Sequence, residues 1–332
     1  MRRASALAVL ALAGAGALPG HASAHTGVTA PAATSYFARA LSAPPGLEAK
    51  AVDGDQRLWL RVPSRLTVIV IGLRGEPYLR FSSLGIDVNS SSATYFLNRV
   101  RPAPVPSVLS PHTPPTWRLL SSAHSTSWHE DRLHALALAA HPPGARALGH
   151  WVVPLLVDGK AASIGGTLVE APRPSLLWFW PLVLLIACVP ALLRLRDAGF
   201  EVAAGWALAA LALGAATAGR LGRELYGRPT VSVGQVALAA LTLAVAAGLA
   251  ALWLRRDWRV VAGVVIGVVA LYQGLALVGT LRNAYVLAVL PAAVERTAAS
   301  VSLAAGIGLL VVIAGAAGAQ AEAADEEERL DA

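Results

Sequence analysis

Residues 176–195 read LLWFWPLVLLIACVPALLRL. A helix needs about 20 consecutive, mainly apolar residues to cross the hydrocarbon core of a bilayer. Trp178 and Trp180 lie at the start of this stretch, where aromatic side chains anchor a helix at the membrane interface, and Arg194 lies near its end. The stretch therefore predicts that the chain enters a membrane here.

Four more apolar stretches follow, at residues 202–219, 233–254, 260–281 and 298–317. Together with the first they predict an all-α membrane domain of about five transmembrane helices over residues 172–320. Residues 284–300 contain Pro291 and Glu295, and their apolar part is too short to cross. We expect this segment to be interfacial or re-entrant, with a broken sixth span as the alternative.

The overall composition agrees with a membrane protein. The 332 residues are 55% hydrophobic and only 14% charged, and the mean hydropathy is +0.57. About a quarter of a soluble globular chain is charged. The net charge of +7 is scattered, so no basic cluster indicates a nucleic-acid partner. Cys188 is the only cysteine, which excludes an intrachain disulfide and a cysteine-based zinc or iron–sulfur site.

The amino terminus is typical of a secretory signal. Arg2 and Arg3 precede an uncharged run over residues 4–18, and Ala22-Ser23-Ala24 forms a small-x-small cleavage site. Residues 1–24 are therefore predicted to be a signal peptide, with an uncleaved anchor as the alternative. Cleavage would make His25 the first residue, outside the cytoplasm of a bacterial cell. Five spans would then place the acidic tail, residues 321–332, in the cytoplasm, as solvated and disordered chain.

Residues 25–171 carry β patterns separated by turn signals. Residues 58–62 follow the turn signal Asp53-Gly54 as a short β pattern, and residues 66–71 form a continuous β-branched run. Residues 151–157 and 164–169 flank Asp158-Gly159, a dipeptide typical of a type I′ hairpin. The region from Pro102 to Pro115 is proline-rich and is predicted to be a surface loop. Together these patterns favour an extracytoplasmic, all-β, Ig-like sandwich.

Two groups of residues in this domain could bind a metal. His25 at a mature amino terminus would offer its α-amine and its imidazole to one ion, a chelate that suits Cu(II). The segment Trp128–His134 contains His129, Asp131 and His134. On a strand, His129 and Asp131 would point to the same side.

These features resemble the CopC-type periplasmic copper-binding β-sandwiches, some of which are fused to membrane helices. The resemblance rests on His25, on the His129-x-Asp131 pair and on the closing hairpin with its Val-Asp-Gly-Lys turn at residues 157–160. It implies that His25 anchors Cu(II), with His129 and Asp131 as equatorial ligands; His134 is an additional candidate outside the family motif. The family's Ser-Pro-x-Asp-Gly opening is missing, and its Asp-x-His order is reversed here.

A structural explanation stays open for the same residues. His25 can owe its position to where the cleavage site falls, and His129, Asp131, Arg132 and His134 can form a hydrogen-bond and ion-pair network beside a core Trp128. The protein would then be a metal-free interaction or assembly protein that recognises another envelope component.

An enzyme is not expected. The chain has no Gly-x-Ser-x-Gly elbow, no phosphate-binding loop and no His-Glu-x-x-His motif. The predicted spans contain almost no ionisable groups and no soft copper ligands other than Cys188. We therefore expect them to act as a scaffold or a partner surface. Gly263-x-x-x-Gly267 has the spacing of a close helix–helix contact.

Overall fold

The computed structural model describes residues 31–99, 103–135, 146–194, 198–227 and 231–331. The chain divides between Pro172 and Arg173 into two compact units, of which the first is β-rich and the second is helical. The predicted signal peptide and His25 lie outside the described residues.

The β-rich unit consists mainly of short strands. A two-residue strand, Ala33–Thr34, precedes the strands that form its two main sheets. These are β1 (Tyr36–Ser42), β2 (Glu48–Val52), β3 (Arg57–Arg61), β4 (Val68–Ile71), β5 (Pro77–Ser82), β6 (Gly85–Asn89), β7 (Trp117–Ser121), β8 (Ser125–His129), β9 (Ala147–Val157) and β10 (Lys160–Glu170). Two short helices, α1 (Ala93–Leu97) and α2 (Asp131–His134), lie between strands.

Two antiparallel sheets share one hydrophobic core. The order of the larger sheet is β1-β10-β9-β4-β5-β6-β7, and that of the smaller is β2-β3-β8. Leu58 and Trp128 from the smaller sheet are buried in one cluster with Phe81 and Leu155 from the larger. The prediction of a β-rich domain ahead of a helical domain is thus confirmed.

The turn dipeptides act as predicted. Asp158 and Gly159 have φ angles of 47° and 78° and join β9 to β10 with Val157 opposite Lys160. Both residues of a type I′ turn need positive φ, and aspartate followed by glycine tolerates this conformation best. Within the proline-rich segment, residues 103–115 form neither helix nor strand, as predicted.

The helical unit begins with a 3₁₀ turn, Leu176–Phe179, and contains a second one at Arg256–Trp258. Its α-helices are α3 (Trp180–Arg194), α4 (Ala198–Glu224), α5 (Val233–Leu254), α6 (Arg259–Ala276), α7 (Gly279–Arg282) and α8 (Ala292–Asp331), with a two-residue strand at Tyr285–Val286.

Four segments of the described chain are long and apolar enough to cross a membrane: Val202–Glu224, Val233–Leu254, Arg256–Ala276 and Ala292–Gly318. Their length and composition fit the prediction of a membrane protein. The first predicted span is shorter than expected, because α3 covers 15 residues and follows a 3₁₀ turn. The structure therefore supports four of the five predicted spans by length.

The segment at residues 284–300 differs from the expectation of a separate interfacial piece. Its second half is the start of α8, which begins after Pro291 and continues without a break. The Pro291 carbonyl accepts hydrogen bonds from the backbone N–H groups of Val294 and Glu295, at 2.9 and 3.2 Å. A proline at a helix start loses no hydrogen bond, so Pro291 opens this helix rather than interrupting a span. The same helix extends to Asp331, where we expected disordered chain.

The small residues predicted to allow close packing do so. A Cβ atom at Gly267 would lie 2.8 Å from Cγ of Leu310 and 3.3 Å from the carbonyl oxygen of Gly306 on α8. Glycine at this position of α6 therefore lets the two helices approach each other closely.

Candidate functional site

The candidate metal ligands lie where β8 ends. Trp128, which pairs with Leu58 of β3, faces the core and is buried. His129 follows and is only partly buried, as expected when neighbouring residues of a strand face opposite sides. The strand then stops, and Glu130 caps the amino terminus of α2 through its side chain.

Glu130 is the centre of a buried polar network. It is 1% exposed, and its carboxylate accepts a hydrogen bond from Nε1 of Trp128 at 2.9 Å. It also accepts two from the Arg132 guanidinium, Nε at 2.6 Å and Nη2 at 2.9 Å, and one from the Arg132 backbone N–H at 3.3 Å. The guanidinium continues to the carbonyl oxygen of Ile71, at 2.9 Å. These contacts tie the end of β8 to the larger sheet.

His129 and Asp131 form an exposed pair beside this network. Nε2 of His129 lies 2.8 Å from Oδ1 of Asp131, and the two side chains are 31% and 52% exposed. The hydrogen bond to Asp131 raises the pKa of His129 above 6.5, against the opposing effect of burial, and a hydrogen bond with the Gln56 backbone adds to the rise. The same pairing with His129 lowers the pKa of Asp131 below 3.8.

His134 belongs to a different pair. Its Nδ1 contacts Oδ2 of Asp55, a carboxylate that is fully buried. The other carboxylate oxygen, Oδ1, accepts hydrogen bonds from Thr34 Oγ1 at 3.4 Å and Gln56 Nε2 at 3.2 Å. The ring of Tyr36 packs edge-on against the imidazole, with 5.8 Å between centroids. His134 thus links α2 to the turn before β3.

The structure brings two of the four predicted ligands together. His129 and Asp131 touch, although the chain between them is the start of a helical turn and not the strand we expected. His134 pairs with Asp55, and His25 lies outside the described residues. Within the described ranges, no group of three or more His, Cys, Asp or Glu side chains could hold a metal ion.

The geometry of the His129–Asp131 pair suits two kinds of chemistry. Ligand bonds of about 2.0 Å at right angles put neighbouring ligand atoms about 2.8 Å apart, so the observed 2.8 Å fits cis positions on one metal ion. The same distance is also an ordinary charge-assisted hydrogen bond.

Sequence reasoning missed two buried carboxylates, Glu130 and Glu295. Glu130 has no assigned role in the sequence-based prediction, although its position before Asp131 at a helix start is typical of a capping residue. Glu295 was placed outside the spans, although Pro291 before it signalled that a helix begins there.

Comparison of the chain with models of known families, with curated proteins and with solved structures finds no match. The resemblance to CopC-type proteins accordingly stays a prediction carried by the quoted residues.

Proposed function

We propose that this protein is an integral membrane protein of the bacterial envelope whose β-rich unit is exported and binds Cu(II). The observation that carries the proposal is the exposed His129–Asp131 pair, whose nitrogen and oxygen atoms are spaced as cis ligands. The two sheets around one core support the Ig-like sandwich that the resemblance implies.

Two ligands are too few for firm binding, so the amino terminus has to complete the site. Cleavage after Ala24 would free the His25 α-amine, and its imidazole would add a second nitrogen. Three nitrogens and one carboxylate oxygen make the tetragonal set that Cu(II) prefers. The site would bind the ion without catalysing a reaction.

Copper titration of the purified full-length protein tests this proposal, after mass spectrometry has established where the mature chain begins. His129→Ala and Asp131→Asn should each weaken Cu(II) binding by more than the ~10- to 100-fold that the loss of an outer-shell contact costs, because each removes a ligand atom. An additional residue before His25 should do the same, because it removes the chelating amine. His150→Ala is the matched control, since His150 is exposed on β9 and belongs to no proposed site. Unchanged affinity in the first three variants would contradict the proposal.

A metal-free interaction protein is the second candidate, and a different observation favours it. The buried groups around the pair are satisfied by the protein itself, since Glu130 has Trp128 and Arg132, and Asp55 has His134. A network that is complete without an ion is sufficient to hold the end of β8 in place. Thermal melts with and without Cu(II) separate the candidates, because an ion that binds the folded state raises its stability by mass action.

The proposed orientation has its own test. A reporter within residues 103–115 should be found outside the cytoplasm, and a reporter after Ala332 inside it, if the chain crosses five times. A tail on the outer side would mean that the short helix α3 does not cross and that only the four longer segments do.

A further inference from the structure

The last long helix buries an acidic side chain inside an apolar segment. Glu295 lies in the first turn of α8, within the segment Ala292–Gly318, and is 0% exposed. Neither of its carboxylate oxygens has a hydrogen-bond partner in the part of the chain that the structure describes. An ionisable side chain in a membrane-spanning segment is rare and usually functional, because burying its charge is costly.

A notch in α4 receives this carboxyl group. Gly222 has no side chain, and a Cβ atom there would collide with Oε1 of Glu295; a Cβ atom at Gly219 would lie 3.7 Å from Oε2. The Gly222 carbonyl oxygen also accepts a hydrogen bond from the backbone of Val289, at 2.9 Å, in the segment before α8. The two glycines thus create the space that the carboxyl group occupies.

The rest of this notch is apolar. A Cβ atom at Gly222 would lie 3.3 Å from Cδ1 of Leu290, and a Cβ atom at Gly219 would meet Leu277 and lie 3.5 Å from Cβ of Ala298. These side chains therefore offer no polar group that could stabilise a negative charge on Glu295.

The charged groups on the surrounding elements are largely engaged elsewhere. On α4, Arg220 pairs with Glu224 at 2.6 Å, while Arg223 attracts Glu295 electrostatically. On α8, Arg296 donates to the carbonyl oxygens of Thr280, Asn283 and Ala284 and stacks over Trp178. Arg259 at the start of α6 stacks over Trp206, and Arg282 of α7 is exposed.

A buried carboxylate with no hydrogen bond is stabilised by a proton or by a metal cation. Small hard cations such as Mg²⁺ and Ca²⁺ need about six oxygen ligands. The notch supplies one carboxyl group among leucine and alanine side chains, and no cluster of three acidic or histidine side chains occurs in the described ranges. A single proton needs only the carboxylate itself.

We propose that Glu295 is a reversible proton-binding site of the helical unit. One proton from water adds to a carboxylate oxygen, an O–H bond forms, and release reverses the step with no other bond changed. In the protonated form the neutral carboxyl group rests in the Gly219–Gly222 notch and α4 packs against α8. This proposal does not depend on copper binding by the β-rich unit.

Labelling of the full-length protein in detergent with dicyclohexylcarbodiimide tests the proposal. This apolar reagent adds to protonated carboxyl groups in apolar surroundings, and the product is mapped by mass spectrometry. We expect a label on Glu295 that decreases as the pH rises. Glu295→Gln should lack the label, and Glu224→Gln is the matched control that should keep it, since Glu224 is paired with Arg220.

The pH profile of the wild-type protein needs no variant, so the test stands even if Glu295→Gln does not fold. Absence of label on Glu295 at every pH, or a label that does not change with pH, would overturn the proposal. Protection of Glu295 by Na⁺ or Mg²⁺ at constant pH would also overturn it, in favour of a metal cation as the ligand.

Discussion

Replacing Glu130 with alanine removes the acceptor of four hydrogen bonds and leaves the Trp128 indole and the Arg132 guanidinium without their carboxylate partner. The side chain is 1% exposed and that of Arg132 is 21% exposed. Breaking a buried ion pair by removing one partner costs about 3 to 5 kcal/mol. Because Arg132 can regain some water, we take the lower end, about 3 kcal/mol, and add about 1 kcal/mol for the Trp128 indole N–H. The expected loss is about 4 kcal/mol.

Hydrogen exchange read by mass spectrometry measures this loss where it should occur. Peptides from β3 and β8 should lose about a thousandfold of their protection, since each 1.4 kcal/mol is a factor of ten. A double variant, Glu130→Ala with Arg132→Met, should be more protected than Glu130→Ala alone, because it no longer buries an unpaired cation.

The matched control is Glu48→Gln. Glu48 faces Arg61 at 3.9 Å, and both side chains are more than half exposed. Exposed pairs of this kind contribute little to stability, so protection should change less than about fivefold. If Glu130→Ala were as mild as this control, the network would not hold the end of β8 and the reasoning would be wrong.

Three further outcomes are expected in the β-rich unit. Asp131→Asn should return the pKa of His129 toward 6.5 in an NMR titration. The pair stabilises the folded state fully between pH 3.8, the ordinary pKa of Asp131, and the ordinary pKa of His129. This stabilisation is lost as the pH rises through the raised pKa of His129 or falls through the lowered pKa of Asp131. Burial raises the pKa of Glu76, but hydrogen bonds, those from Thr94 foremost, lower it overall. The stability that Glu76 contributes is therefore present above pH 4.5 and lost as the pH falls through its pKa in the folded state. Glu76→Gln should make the melting temperature less dependent on pH in the acid range, and an unchanged dependence would contradict this. Gly166→Ala should destabilise the unit by about 1 to 3 kcal/mol in chemical denaturation, because its Cβ would collide with the Trp151 ring and a backbone carbonyl of β1. A neutral result would mean that the strands separate easily there.

Local signals in the sequence predicted the parts of the fold that local chemistry determines. Asp158-Gly159 predicted the hairpin because few other dipeptides tolerate two positive φ angles. Long apolar runs predicted four helices because length and hydropathy are properties of the run itself. The short α3 shows the limit of this reasoning, since hydropathy over 20 residues does not reveal that the first four form a 3₁₀ turn.

The candidate site was harder to predict because its contacts join distant parts of the chain. His134 and Asp55 are 79 residues apart, and Arg132 reaches the Ile71 carbonyl across 61 residues. The pattern Trp128–His134 gave the residue types but not their partners. Strand alternation predicted correctly that His129 and Asp131 lie close together, but for the wrong reason. The strand ends at His129, and Asp131 begins a helical turn.

Glu295 differs from the buried glutamates of the β-rich unit in a way that explains why it carries the stronger functional signal. In the β-rich unit, Glu76 accepts hydrogen bonds from Arg74, Ser92 and Thr94, and Glu130 accepts four. Each of these charges is offset by donors of the fold, as a structural role requires. Glu295 has no such donor among the described residues and occupies a notch that two glycines keep open. A carboxyl group that binds a proton reversibly needs no permanent hydrogen-bond donor, because the proton itself neutralises its charge.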